Sequence, residues 1–534
     1  MLRMRRLAVY LMCSVLLLSF QNGFAETGDQ NEFRLINDVQ VNFNDISGPG
    51  RSASSLTDGT TYIESLNIYS RGNKGDFKYI FNLGGRTTND KRYDKAKFAL
   101  TSLKGNFVYQ NHQVTAGDIF ESYSQFSLDS ALKGTSYKYY NEEDNLPNVS
   151  FVYGVAYPRW ENLWDGYDLV ALQRDVFGAN ITHDFNPVFT AGFSVVHSDD
   201  SQPVTVNDAL FNNTIYALDA KYTPIIGLTI NAESAFSDTS ENDSGSTNSY
   251  TGSAQKLEII GDGHPSRVVL KYERISPKFK TLTGSAISDQ ERFNSSWRYK
   301  YNKNITTDLK FLWFRNHING SPQMTHNWQP SANITVRKLF GRRYAKSSLS
   351  YKFEKKSGND LTTLNKYLTL THSDRYGILE NSTSLGLNSF NTNNATRDQV
   401  DYTANTTFNS RHKKGDFVIK PMISAGTFFY ENQLIHQTNQ VLQYSTGLGL
   451  DIPKKKIYSK LTFGQNKLQS FGQDNSNKWF TRFHIYYKPQ FSKYLNKSTF
   501  SLKGAINDHS FSTSTRNFVE KSLSFGINFP FSVK

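Results

Sequence analysis

The sequence predicts an all-β fold: a single transmembrane antiparallel up-and-down β-barrel of about 26 strands, in a range of roughly 22 to 28. Three observations carry that prediction. Apolar and polar residues alternate with period two in segment after segment. Long polar connectors alternate with tight ones. The chain is rich in aromatics, with 30 Tyr, 39 Phe and 6 Trp, yet only 37% of its 534 residues are hydrophobic, as expected where only every second strand residue meets lipid.

The N-terminus is read first because it is set aside. Arg3, Arg5 and Arg6 form a basic region, Leu7 to Phe20 an apolar one, and Gly23-Phe24-Ala25 a small-residue cleavage site. Residues 1–25 are therefore a cleaved signal peptide, and 26–32 a short polar segment on the periplasmic side. Residues 33–534 form the barrel. Cys13, the single cysteine, falls inside the leader. The exported chain then carries no disulfide, no thiolate metal site and no haem attachment of its own. Loss of the three arginines lowers the formal charge of +13, leaving a mildly basic chain. No stretch after the leader reaches the apolar length of a membrane helix.

The strands follow in order. GDFKYIFNLG sets Phe77, Tyr79, Phe81 and Leu83 against Lys78 and Asn82, and NITTDLKFLW sets Ile305, Leu309, Phe311 and Trp313 against Thr306, Asp308 and Lys310. VLQYSTGLGLDI opposes Leu442, Tyr444, Leu448, Leu450 and Ile452 to Gln443, Ser445, Gly447, Gly449 and Asp451. KWFTRFHIYYK opposes Trp479, Phe483, Ile485 and Tyr487 to Arg482, His484 and Lys488. The final strand, SLSFGINFPF, puts Leu523, Phe525, Ile527, Phe529 and Phe531 on the face assigned to lipid. It closes against the first strand near Phe33 to Phe43, which removes the exposed edges that hydrocarbon does not tolerate.

Reading back from the C-terminus, long connectors are expected around 507–517, 467–478, 430–440, 388–399, 314–327, 280–290, 237–250 and 199–213. Tight ones lie between them, including Pro453 to Lys456, His412 to Gly415, Phe340 to Arg343 and Asn302 to Asn304. Long extracellular loops and short periplasmic turns give this alternation, and they place both chain ends in the periplasm.

SLSFGINFPF resembles the C-terminal insertion signal of Gram-negative outer-membrane proteins, although Ser532 to Lys534 follow the terminal aromatic. That resemblance implies an outer-membrane, multi-strand location and insertion by the barrel assembly machinery. In size the barrel is similar to two families, the porin component of porin-cytochrome conduits and the lipopolysaccharide-inserting translocon. About 26 strands close into a cylinder on the order of 50 Å across. With no plug domain in the sequence, the conduit resemblance implies a sleeve around a lumen-filling partner. A multihaem cytochrome carrying electrons across the outer membrane is the expected partner, and a lipoprotein is the other. Haem comes with the partner alone. The alternative is a channel for solute or polymer export or uptake, gated by its own loops.

Four segments invite site readings. GDIFESYSQFSLDSALKG, Gly117 to Gly134, resembles a hairpin of usher-type secretion barrels, and we read it as a strand pair with its extracellular loop. In PRWENLWDGYD and the tyrosine just before it, the residues Tyr157, Trp160, Trp164 and Tyr167 are assigned to an interfacial aromatic girdle. SDTSENDSGSTN (237–248) and NEEDN (141–145) are rich in oxygen ligands but lack the spacing of a calcium loop, and are read as solvated connectors. No nucleophile elbow, zinc motif or phosphate loop occurs, so neither an enzyme nor a nucleic-acid partner is expected.

Overall fold

The computed structural model describes residues 31–533 except 142–145, 158, 164–171, 203–208, 244–245, 319–323, 394–397, 434–436, 471–473 and 490–496. It is a closed antiparallel barrel of 26 strands. Neighbours in sequence are neighbours in the wall. His412–Lys414 continues Gln399–Ser410 along the shared partner Phe417–Asn432, so the two segments count as one strand. The helical elements are 3-10 turns of three or four residues. Among the described residues, no helix is long and apolar enough to cross a membrane.

Closure occurs where the alternation places it. The first strand, Glu32–Ser47, pairs on one side with Gly59–Lys74 and on the other with the last strand, Phe518–Val533. In that seam Phe43 faces Leu523, Val41 faces Phe525 and Val39 faces Ile527. Side-chain period is two, so the register steps fix one face for each residue all round the barrel. Followed strand by strand, the apolar sets named above fall on a single face. Leu309, Leu385, Leu448, Leu461, Leu523 and Phe525 are exposed there. A chain that folds with its aromatic and aliphatic side chains turned outward is an outer-membrane barrel, for such a belt is stable only against lipid.

Connector lengths differ from expectation at one rim. The strand Leu228–Asp243 and its successor Ser246–Gly263 run almost to a common tip, where 237–250 was expected to be loop. Their upper ends pair Ser, Thr, Asn and Asp across the ladder, such as Thr239 with Tyr250 and Glu241 with Asn248. The backbone hydrogen bonds continue beyond the apolar belt, and polarity marked a change of solvent where it was read as a change of structure. Phe417 follows the tight turn Gly415-Asp416, and the 3-10 turn Pro453–Lys455 links two strands, both at the rim expected to carry short connectors.

Candidate functional site

Gly117 to Gly134 leaves the wall. His112–Ser122 pairs with Phe98–Tyr109 only from His112 to Gly117, and Asp129–Tyr139 pairs with Asn148–Val155 only from Lys133 downward. Above those points the two strands remain paired with each other, Asp118 with Lys133 and Ser122 with Asp129. A hairpin that loses both outer neighbours at the same height has folded out of the sheet. Glycine permits the bend at each end. Gly117 has φ +103°, and a Cβ there would lie 2.0 Å from the Leu103 carbonyl oxygen; at Gly134 it would lie 2.1 Å from that of Tyr153.

The hairpin goes inward. Ile119, Leu128 and Leu132 are buried against Val152, Val176 and Val196 on the wall. The residues alternating with these, Phe151, Tyr153, Phe177 and Phe193, are exposed on the outer face. Beyond them Phe126 crosses to strands further round the barrel. It is fully buried among Ile215, Ala217, Ala235, Ala254 and Ile275, and meets Phe279 edge to face at 5.9 Å. Burial of side chains this size contributes about 1.5–3 kcal/mol each.

Phe279 belongs to a second inward segment, the connector 276–289 between Ser266–Ile275 and Gln290–Lys300. It lies along the inner face of the same strands. The Asn213 amide donates to the Lys280 carbonyl at 3.0 Å, and the Lys280 N–H donates to Ser237 Oγ at 3.2 Å. Arg174 forks onto Asp200 at 2.7 and 3.1 Å and donates to the Leu282 carbonyl at 2.9 Å. The Asp200 side chain is fully buried, so the pair is made where the charge has no water to fall back on.

Hairpin and connector are joined by backbone. Ser285 N–H donates to the Gln125 carbonyl and Asp129 N–H to that of Thr283, both at 2.9 Å, and Thr283 Oγ1 donates to the Ser127 carbonyl at 3.0 Å. Gln125 also hydrogen-bonds Glu273, which pairs with Lys271 at 2.9 Å. Together they form a shelf on the lumen side of one arc of wall. Burial pushes the Tyr123 hydroxyl at its root up to about 12 and drives Lys280 below the ordinary lysine value. Lys280 lies 3.0 Å over the Phe211 ring.

The departing hairpin leaves a gap beside Phe98–Tyr109, and the 3-10 turn Trp160–Leu163 fills it. Glu161 accepts the Leu100 N–H at 2.8 Å, while Asp118 accepts the Leu103 N–H at 2.6 Å and the Trp160 indole at 3.1 Å. Lys133 pairs with Asp118 at 2.7 Å and sits over the Trp160 ring. Two backbone donors that lost their ladder partners are thereby satisfied by carboxylates. Asp94 accepts from Arg159 at 2.9 Å and also pairs with Arg86, tying the next loop to the same seal. Burial opposes ionisation of Asp94, but Arg159, the Ala96 N–H and Arg86 outweigh it and hold its carboxyl below the usual value.

The residues singled out in the sequence are distributed as follows. Trp160 is buried in the seal, and the Tyr157 hydroxyl donates to Gln173 at 3.0 Å. Trp164 and Tyr167 lie outside the described residues. Leu523 and Phe525 are exposed, Ile527, Phe529 and Phe531 are half-buried, and Phe529 meets Phe500 edge to face at 5.9 Å. Most of NEEDN lies outside the described residues, and Ser237–Asp243 belongs to a strand. The expectation that Gly117–Gly134 stands as an ordinary strand pair with its loop is corrected by the lost pairings at both glycines. A signal was present: Asp118, Glu121, Asp129 and Lys133 put charge on both parities, leaving no face for lipid.

No family model matches the chain, and no curated protein matches it. Solved structures of similar shape are large outer-membrane barrels. A chain of the E. coli P pilus tip assembly intermediate PapC-PapD-PapK-PapG aligns over 96% of this chain and 62% of its own length, with TM-score 0.50 and 10% identity. The P pilus usher (PapC) translocation pore aligns over 94% of this chain and all of its own, with TM-score 0.44 and 9% identity. Pseudomonas aeruginosa OccK1 (OpdK) covers 67% of this chain and 98% of its own, with TM-score 0.30 and 12% identity. At such identities the likeness speaks for the fold.

Proposed function

We propose that the protein is a wide outer-membrane channel for a polymer, its bore narrowed by the hairpin Gly117–Gly134 and the connector 276–289. The hairpin is the observation that carries this reading. A layer packed on a wall occupies about 10 Å, so a cylinder on the order of 50 Å across keeps a bore tens of ångströms wide beyond the shelf. A bore of that width is matched to a macromolecular cargo or occupant and would discriminate poorly among small solutes.

The sleeve for a multihaem cytochrome or a lipoprotein shares the width argument. Against it stands the shelf, which takes up wall that a close-fitting resident would use. In either case the barrel brings no cofactor of its own and acts without catalysis. Partner recognition at the periplasmic rim belongs to the same proposal, the similar chain being part of an assembly of PapC, PapD, PapK and PapG.

Purified barrel in planar bilayers tests the proposal. Large, stepwise currents that increase when Ile119–Leu132 is replaced by a short Gly-Ser turn support it. A haem-containing complex recovered from mild detergent, with a barrel that conducts nothing alone, returns the argument to the sleeve.

A further inference from the structure

Opposite the shelf, the inner wall carries a line of cations in strict cross-strand register. Lys420 faces Gly449, Gly449 faces Lys460, Lys460 faces His484, His484 faces Lys503, and Lys503 faces Ser524 of the last strand. All project to the lumen, being alternate to the outward Leu448, Leu461, Phe483 and Leu523. Arg482 lies on the same face one step higher, beside Thr462 and Ala505.

The carboxylates nearby are already engaged. Asp451 pairs with Lys420, and Glu520 accepts from Ser54 at 2.7 Å and Asn507 at 3.1 Å. Lys460, Arg482 and Lys503 are exposed and form no ion pair among the described residues. Cations that flank one another across strands repel, and His484 between them has a buried Nε2 with no hydrogen-bond partner among the described residues. Glycines at 447, 449 and 464 lie on the same face between the charges, each covered by a neighbouring side chain: Met422, Lys420 and Phe480 respectively. Aromatic rings stand next to the charges. Arg482 lies 4.7 Å over Phe480, and the His484 and Tyr486 rings are 3.7 Å apart.

Resting on the channel reading, we infer that this strip binds a linear acidic polysaccharide and that such a polymer is the cargo. Lys460 and Lys503, the lysines of the line that form no ion pair among the described residues, sit two strands apart, so their charges are separated by about 10 Å along it. That matches one carboxylate per disaccharide repeat. It is too sparse for a nucleic-acid backbone, whose charges recur about every 3.4 Å per strand of duplex. Strand tilt of about 40° makes the line climb the wall as a ramp, and the aromatic rings offer faces on which sugar rings stack.

The test is calorimetric titration of the whole detergent-solubilised barrel with hyaluronate, which carries one carboxylate per disaccharide, with dextran of equal length and with a single-stranded DNA oligomer. We expect hyaluronate to bind more tightly than either, its affinity to fall with salt, and K460Q/R482Q/K503Q to weaken it roughly 10-fold to 100-fold. The shift of the unboiled band in gel electrophoresis reports that the variant is folded. K454Q in a turn, paired with Asp416, should leave the affinity unchanged. Equal affinity for dextran, tighter binding of DNA, or an unaltered triple variant overturns the inference. Titration needs no current, so a barrel that binds the acidic polymer but never conducts supports the strip and sinks the channel, and the converse result does the reverse.

Discussion

Removing the Phe126 ring should release the hairpin from the wall without dissolving the barrel. Phe126 is fully buried in an apolar cluster, at the far end of the hairpin from its glycine bends. A Phe→Ala change at such a site costs about 3–5 kcal/mol. That shifts the balance between docked and released hairpin by roughly two to three and a half decades. The strand ladder is untouched, for Phe126 lies between the strands His112–Ser122 and Asp129–Tyr139. The assay uses the chain's cysteine content. Cys13 is the single cysteine of the sequence, so in a C13S background a single thiol placed at Ser127, itself fully buried, is the sole site of labelling. In the parent, S127C should react slowly with a maleimide. Adding F126A should speed labelling at least 100-fold while the heat-modifiable band stays folded. Unchanged labelling, or a barrel that no longer forms, would refute the claim that the ring pins a hairpin docked on an otherwise independent wall.

Other perturbations test other joints. G117V places a Cβ against the Leu103 carbonyl in a left-handed conformation, at a cost of about 1–3 kcal/mol, and should lower the yield of refolding into vesicles, whereas S122A should not. Asp94 has its folded pKa depressed below the usual 3.8, so its contribution is fully present above that value and is lost as pH falls through the lowered one. Protease cleavage between residues 89 and 97 should therefore rise only in that acid window, and D94N should raise it at neutral pH. F525R on the outward face of the last strand should cost about 2–4 kcal/mol in reversible folding into lipid, while S524R on the inward face should cost little; equal costs would dissociate the apolar face from lipid.

The barrel was legible because its physics is local and repeated. Every strand writes the same alternation, and a register step of one residue would turn Leu448, Leu461 and Phe483 from lipid into the lumen, so the pattern fixes the facing of each strand. The rim was less legible. In SDTSENDSGSTN polarity signals water, and water accepts a paired strand as readily as a loop. The shelf was hidden for a different reason. Phe126 and Phe279 lie in connectors, and their partners, from Ile215 to Ile275, are small or aliphatic residues on strands far along the chain. Such a contact leaves no periodic trace. What it did leave was an absence, the lack of any lipid face between Gly117 and Gly134. The cationic strip was visible residue by residue, in Lys460, His484 and Lys503, but its alignment depends on the registers of five successive strands.

Two segments distant in sequence meet inside the barrel, and the rest of the architecture within the bore depends on that meeting. Gln125 and Ser285, joined by a 2.9 Å backbone hydrogen bond, are the place to ask. In the intact membrane-embedded protein, oxidation or a short bifunctional linker should join the thiols of the double variant Q125C/S285C in high yield. The double variant Q125C/K454C, whose second site is an exposed turn residue, should not join. Absence of the first crosslink in a folded barrel would put the hairpin outside the bore and contradict the shelf.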